Sequence, residues 1–478
     1  MLFSGVTFLY YFLPAALALC LAAPRRWKNA ALLACSVVFY AWGAPAYLPL
    51  LAAETLVAFG AGLLIGRHRG TGKAKLFAAL AIGLLVGALA LFKYADFFIK
   101  AVNSLLAPGA DSGPVPLISL ALPLGISFYT FQLLSYLFDV YRGKTRAQGN
   151  LVTFAAYAFL YAQILSGPIV RYDSIAGDLA RRRQTLPDFA AGAQRFVLGL
   201  AKKALLANAF ADLCAAYTGG TERSALFAWL YIAGYTLRIY YDFSGYSDMA
   251  IGLGRMMGFR FPENFDYPYA ARSVTEFWRR WHMTLGAWFR DYVYIPLGGN
   301  RVSPAKRIRN ILAVWALTGL WHGASWNFVL WGLYFALVMT LEKAFLLRAL
   351  KKLPGLVSHL YTLLVLVFSW CLFDSPTLAG ALSRAGELVG AGGIAAAGAW
   401  SRYYLSSYAF LFIIGILGAT PLPKRLMESL EDALARHHSK AGAVALSLAR
   451  PAALAALLII SSAYAVDGSF NPFIYFRF

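Results

Sequence analysis

Charge is what this chain has least of, and negative charge least of all. Only 14% of its 478 residues are charged, against about 25% in soluble domains, which excludes an ordinary soluble surface. Asp and Glu number 22 against 43 Lys and Arg. The hydrophobic stretches lack period-2 alternation, so a transmembrane barrel is disfavoured. Cysteine is sparse: Cys20, Cys35, Cys214 and Cys371 are scattered within apolar runs and form no CxxC. That excludes a disulfide framework or a zinc site, and no metal is expected. There is no P-loop, HExxH or GxSxG. Gly252-Leu253-Gly254 follows an apolar helix, not a strand, so it is no dinucleotide fingerprint. No internal repeat or low-complexity tract is evident, and residues 1–478 read as a single domain.

What is present is apolar mass. The chain is 60% hydrophobic, and in lipid only helices or closed barrels satisfy the backbone. An all-α polytopic membrane protein is therefore expected. A span needs about 20 apolar residues. Qualifying blocks are Phe3–Ala23, Ala30–Gly43, Tyr47–Gly66, Ala74–Tyr94, Leu117–Phe138, Phe196–Tyr217, Leu226–Tyr241, Ile311–Leu341, Leu356–Phe373, Tyr404–Thr420 and Pro451–Tyr464, about 11 spans on that length criterion. Phe3–Ala23 lacks a basic n-region and reads as a membrane helix rather than a signal peptide. Leu151–Ile169 is apolar between clusters of like sign, so it reads as a re-entrant or broken segment.

The net charge of +21 lies in clusters between these blocks: Arg25–Lys28, Arg67–Lys75, Arg142–Arg146, Arg181–Arg183, Arg301–Arg309, Arg348–Lys352 and Lys424-Arg425. That is the pattern of short cytoplasmic loops, not of a nucleic-acid patch, so no nucleic-acid partner is expected. It places the N-terminus outside. The bookkeeping fails around Ile311–Leu341, which separates two basic clusters. Either that block is a hairpin containing His322, or one cluster is outside.

The segment Asp242–Arg309 is more polar than its flanks and rich in aromatics. Ser273–Tyr294 reads as one helix between Pro268 and Pro296. At helical spacing Trp278, Trp281, Leu285, Trp288 and Phe289 share a face, Arg279, Arg280 and Arg290 fall opposite, and His282 lies at the edge. Two readings stand. The helix lies at the cytoplasmic membrane surface, or it lines a cavity and presents His282 and the arginines to an anionic ligand. Asp242 and Asp248 could ligate a metal, but helix-terminus capping is the simpler account.

His322 has no other charged side chain between Asn310 and Glu342. A titratable group at membrane depth is costly and commonly functional, and histidine trades protons near neutral pH. The competing account is a buried histidine bonded to a carbonyl. Gly319 and Gly323 would let a substrate or another helix approach closely.

The run Phe277-Trp278-Arg279-Arg280-Trp281-His282-Met283-Thr284-Leu285, with Trp288-Phe289-Arg290-Asp291-Tyr292 after it, resembles the signature of membrane-bound O-acyltransferases. So does Leu320-Trp321-His322-Gly323-Ala324-Ser325-Trp326, at the expected interval. Leu2-Phe3-Ser4, Phe39-Tyr40-Ala41-Trp42, Asp242-Phe243-Ser244-Gly245-Tyr246-Ser247-Asp248 and Asn471-Pro472-Phe473-Ile474-Tyr475-Phe476 agree. Tyr294-Ile295-Pro296-Leu297-Gly298-Gly299-Asn300-Arg301 is similar to the alginate O-acetyltransferase branch. One departure is visible: Leu330-Trp331-Gly332-Leu333-Tyr334 is followed by Phe335, where that branch often has histidine.

The resemblance implies a ring of tilted helices, with re-entrant and interfacial helices around a central tunnel, where a funnel from one face and a tunnel from the other meet near His322. It implies His322 as the catalytic histidine and His282 as its companion. Donor contacts would come from Arg279, Arg280, Arg290, Trp281, Trp321 and Asn327. No cofactor is tightly bound; acetyl-CoA or another acyl thioester is the cytoplasmic donor substrate. A polysaccharide acceptor and an extracytoplasmic partner like an SGNH hydrolase would complete the system, in a bacterial inner (cytoplasmic) membrane. The alternatives are D-alanyl transfer to teichoic acid, a transporter or flippase for a lipid-linked substrate, and a non-catalytic scaffold for polysaccharide export.

Overall fold

The computed structural model describes residues 1, 3–107, 113–436 and 440–466. The motif at 471–476 and Leu2 lie outside them. The described residues are helical, with one isolated bridge between Ser224 and Ala395 and no strand. Among the described residues, five helices are long and apolar enough to cross a membrane alone: Pro45–Arg67, Gly72–Leu106, Trp326–Leu350, Gly355–Asp374 and Val444–Val466. The bent pair Ala399–Gly418 and Leu422–Leu434 would make a sixth. Several other apolar blocks form shorter or broken helices, such as Leu13–Ala22 and Lys28–Gly43.

The helix Ala225–Met256 forms the buried axis of the fold. It packs against Leu186–Ala201 through paired glycines. A Cβ on Gly245 would lie 2.7 Å from the Gly199 carbonyl oxygen, and one on Gly252 2.6 Å from that of Gly192. Such small-residue crossings let backbones meet without a polar ligand. Asp242 and Asp248 sit inside this helix and cap nothing. Asp242 pairs with Lys203 at 2.5 Å, and Asp248 with Arg195 at 2.9 Å and Lys202 at 2.6 Å. The capping expectation failed because their partners come from a helix distant in sequence.

Two apolar blocks are not the helices their composition suggested. In Leu117–Phe138, residues 117–123 are irregular, and the helix Ile126–Tyr141 begins only after Gly125. Gly125 has φ 76°, and a Cβ there would meet the Ile164 carbonyl oxygen at 2.2 Å. The 113–119 stretch is instead tied to Asp96, whose carboxylate accepts from the Ile118 and Ser119 backbone at 2.8 and 3.0 Å. Leu151–Ile169 is broken as expected. The helix Leu151–Ala158 gives way to irregular backbone through Ile169, buried on all sides, where protein shields it from lipid.

The long block is a hairpin. Pro304–His322 and Trp326–Leu341 are helices joined by residues 323–325. A Cβ on Gly332 would lie 2.1 Å from the Trp315 carbonyl oxygen, and one on Gly319 2.1 Å from that of Phe328. Those two close approaches are antiparallel, so the basic clusters at 301–309 and 348–352 return to one side. Of the two readings of this block, the structure has the hairpin, with His322 at the turn.

Side chains of other basic loops bond to neighbouring segments. Lys28 bonds Gln184, Arg182 bonds Asn29, and Gln184 reaches the Met257 carbonyl at 3.1 Å. Lys144 pairs with Asp173, and Arg171 with Asp291 at 2.8 Å.

Candidate active site

The Ser273–Tyr294 segment is not one helix. Val274–Arg280 stops, Trp281 is extended, and His282 takes φ 45°, ψ 52° before Met283–Phe289 begins. A non-glycine residue rarely adopts that conformation, and such strain clusters at functional sites. The backbone groups freed by the break are satisfied from outside the helix. The Met283 N–H donates to the Asn264 carbonyl oxygen at 3.0 Å, and the Asp266 N–H to that of Arg280 at 3.0 Å. Periodicity alone could not reveal this, because the partner strip at 264–266 is distant in sequence. Of the expected aromatic face, Trp281, Leu285, Trp288 and Phe289 are buried and Trp278 is half-buried, but the break at His282 means that no single helix carries them.

His282 is buried and held from one side only. Its Nδ1 is 3.0 Å from Asn264 Oδ1. The same oxygen accepts the Thr284 N–H at 3.3 Å and the Thr284 hydroxyl at 2.9 Å, while the Asn264 amide nitrogen donates to Ser247 at 3.1 Å. A backbone N–H can only donate, so this atom is the amide oxygen. His282 Nδ1 must then carry a proton, which leaves Nε2 with a lone pair when the ring is neutral. His282 Nε2 is buried without a hydrogen-bond partner among the described residues.

His282 opens on a cavity of about 620 Å³ shared with Trp278, Arg279, Trp281, Arg290 and Lys343. His322 opens on a separate cavity of about 90 Å³ shared with Lys93, Ser127, Phe128 and Trp321. Trp321 lies between the two histidines. Its ring is 5.6 Å from that of His282 and 5.0 Å from that of His322. Trp331 and Phe373 pack edge-on to His322 at 5.0 and 5.5 Å.

The expected donor residues divide. Arg279, Arg290 and Trp281 line the larger cavity, and Trp321 the smaller. Arg290 also pairs with Asp291 at 2.6 Å. Arg280 is not in the larger cavity's lining. It pairs with Glu276 at 2.8 Å and Asp266 at 3.6 Å. Asn327 lines neither cavity; its amide donates to the Ser375 carbonyl.

Three residues here escaped the sequence reading. Asn264 carried no signal beyond its place in the polar segment. Lys343 sat just past the boundary of an apolar block. Lys93 was legible, since it is the only charged side chain between Lys75 and Asp96, and the argument that singled out His322 extends to it. No group of three or more metal-ligating side chains occurs among the described residues.

Two histidines at separate cavities, joined at one tryptophan, suit transfer of a small group between two reactants. The comparisons agree with that chemistry. The pattern of the MBOAT, membrane-bound O-acyltransferase family, matches residues 146–383. The "Probable alginate O-acetylase" of Azotobacter vinelandii is 41% identical over 383 residues, covering 79% of this chain and 76% of that protein. The chain belongs to the membrane-bound O-acyltransferase family. The peptidoglycan O-acetyltransferase of Helicobacter pylori is 31% identical over 426 residues, covering 82% of this chain and 79% of its own length. The teichoic acid D-alanyltransferase of Bacillus subtilis is 30% identical over a shorter stretch, 51% of this chain and 64% of its own. The chain is thus a multi-pass membrane O-acyltransferase, where composition alone had left a flippase and a scaffold open.

Proposed function

We propose that this enzyme takes an acetyl group from a cytoplasmic thioester, acetyl-CoA, and delivers it toward an extracytoplasmic polysaccharide. The observation that carries the reading is the pair of cavities, one beside each histidine. The larger is lined by Arg279, Arg290 and Lys343, cations suited to an anionic coenzyme or carrier. By the distribution of basic loops it opens to the cytoplasm, in a bacterial inner membrane, with the N-terminus outside. The smaller takes the acceptor hydroxyl. A charged coenzyme cannot cross about 30 Å of hydrocarbon, whereas a small neutral acyl group handed across a shielded channel need not.

In this scheme His322 is the general base for the incoming hydroxyl, and His282, fixed by Asn264, orients the thioester. A partner resembling an SGNH hydrolase would pass acetyl to the glycan. Acetyl is favoured over D-alanyl because the similarity to the two O-acetylating relatives covers far more of the chain.

The test uses inside-out membrane vesicles from cells expressing the chain, supplied with labelled acetyl-CoA. Label in lumenal glycan is expected. Glycan that stays unlabelled with acetyl-CoA, yet gains label from a D-alanyl carrier protein, would overturn the acetyl reading.

A further inference from the structure

Lys93 lies in the interior of the apolar helix Gly72–Leu106. Its ammonium donates to the Trp321 carbonyl at 2.6 Å and to the Ser127 hydroxyl at 3.2 Å. It also lies 5.9 Å from the centre of the Trp321 ring. Among the described residues it has no carboxylate partner. Tyr94 beside it donates to the Leu320 carbonyl at 2.9 Å. The helix Pro304–His322 ends at this point, where carbonyls lack intrahelical donors and the helix dipole is negative.

Capping that helix end accounts for one N–H and not for the choice of lysine. A hydroxyl or an amide would satisfy a carbonyl without a charge at membrane depth, which is costly. An ammonium has three N–H groups, and two are used. The remaining one belongs to a side chain that lines the same cavity of about 90 Å³ as His322. That cavity is too small for a coenzyme and large enough for an acyl group and a hydroxyl.

We propose that Lys93 is a catalytic residue whose free N–H holds the acyl carbonyl oxygen as it becomes an oxyanion. The inference rests on His322 being the group that takes the hydroxyl proton. The step balances as follows. The acceptor oxygen forms a bond to the acyl carbon as its proton passes to His322. The carbonyl π pair moves onto oxygen, where the Lys93 ammonium stabilises it. The oxyanion then collapses, the C–S bond breaks, and the thiolate leaves with the electron pair and recovers the proton from His322. A preorganised cation placed where the negative charge develops is well suited to stabilise it.

The experiment compares wild type, Lys93→Met and His322→Gln in the same vesicles with labelled acetyl-CoA. Lys93→Met should lower turnover by about 10²–10³-fold, with the KM for acetyl-CoA unchanged. Added methylammonium should restore part of the rate, and methanol, of similar size but neutral, should not. Turnover of Lys93→Met close to wild type overturns the proposal, as does equal rescue by methylammonium and methanol, which would reduce Lys93 to packing. Should Lys93→Met fail to insert, Lys93→Gln keeps an N–H for the Trp321 carbonyl without the charge and is read by the same outcomes. Normal activity in His322→Gln would remove the reading of His322; an inactive His322→Gln beside an active Lys93→Met would remove this inference alone.

Discussion

Asn264 Oδ1 stands 3.0 Å from His282 Nδ1 and fixes which nitrogen of that ring carries the proton. The histidine is itself strained, at φ 45°, and the backbone on its far side is bonded to Asn264 as well. One asparagine therefore sets the ring's tautomer, its orientation and the break in the helix that brings it to the cavity.

Replacing Asn264 with Ala should lower acyl transfer by about 10–100-fold, the range for losing the partner that orients a functional histidine. Asn264→Asp keeps an acceptor for Nδ1–H and should retain more activity than Asn264→Ala. Steady-state rates over a range of acetyl-CoA concentrations check this. Equal activity in both variants and wild type would mean that His282 needs no orienting.

His322→Gln should lose about 10²–10⁴-fold in turnover, because glutamine keeps hydrogen bonding and cannot take a proton. Expression and membrane insertion should be intact, since His322 sits at a turn between two helices. A vesicle assay of labelled glycan measures it, and near-normal acetylation would exclude a proton-transfer role.

The arginines offer a sharper contrast than their sequence pattern did. Arg279 lines the larger cavity, while Arg280 is turned to Glu276 and Asp266. Arg279→Glu should raise the KM for acetyl-CoA without altering the acceptor requirement. Arg280→Glu should leave that KM unchanged and lower thermal stability modestly, because exposed ion pairs contribute only about 0–1 kcal/mol. A raised donor KM in Arg280→Glu with none in Arg279→Glu would invert the assignment.

The fold class was legible because lipid permits so few solutions for an apolar chain. Isolation in an apolar block singled out His322, and spacing foretold the burial of Trp281, Leu285, Trp288 and Phe289. What escaped depends on contacts between distant segments. The break at His282 is satisfied by residues 264–266, and Asp242 finds Lys203; neither leaves a local pattern. Lys93 differs, since it is the only charged side chain between Lys75 and Asp96, and only its distance from His322 along the chain separated the two.

The hairpin that presents His322 depends on glycines that no apolar residue can replace. Gly332 lies against the Trp315 carbonyl and Gly319 against that of Phe328, each with 2.1 Å available to an added Cβ. Both obstacles are backbone, which cannot rotate aside. Gly332→Ala should therefore force the helices apart and destabilise the protein by about 1–3 kcal/mol or more. It should also lower acylation, because the turn carrying His322 and the Lys93 contact at Trp321 would shift with it. Gly87→Ala, in the helix that carries Lys93, is the control, since a Cβ there meets nothing within 4 Å. Thermal unfolding of detergent-purified protein should show a lower transition for Gly332→Ala alone. A Gly332→Ala protein as stable and active as the control would mean that the two helices pack less closely than the structure has them.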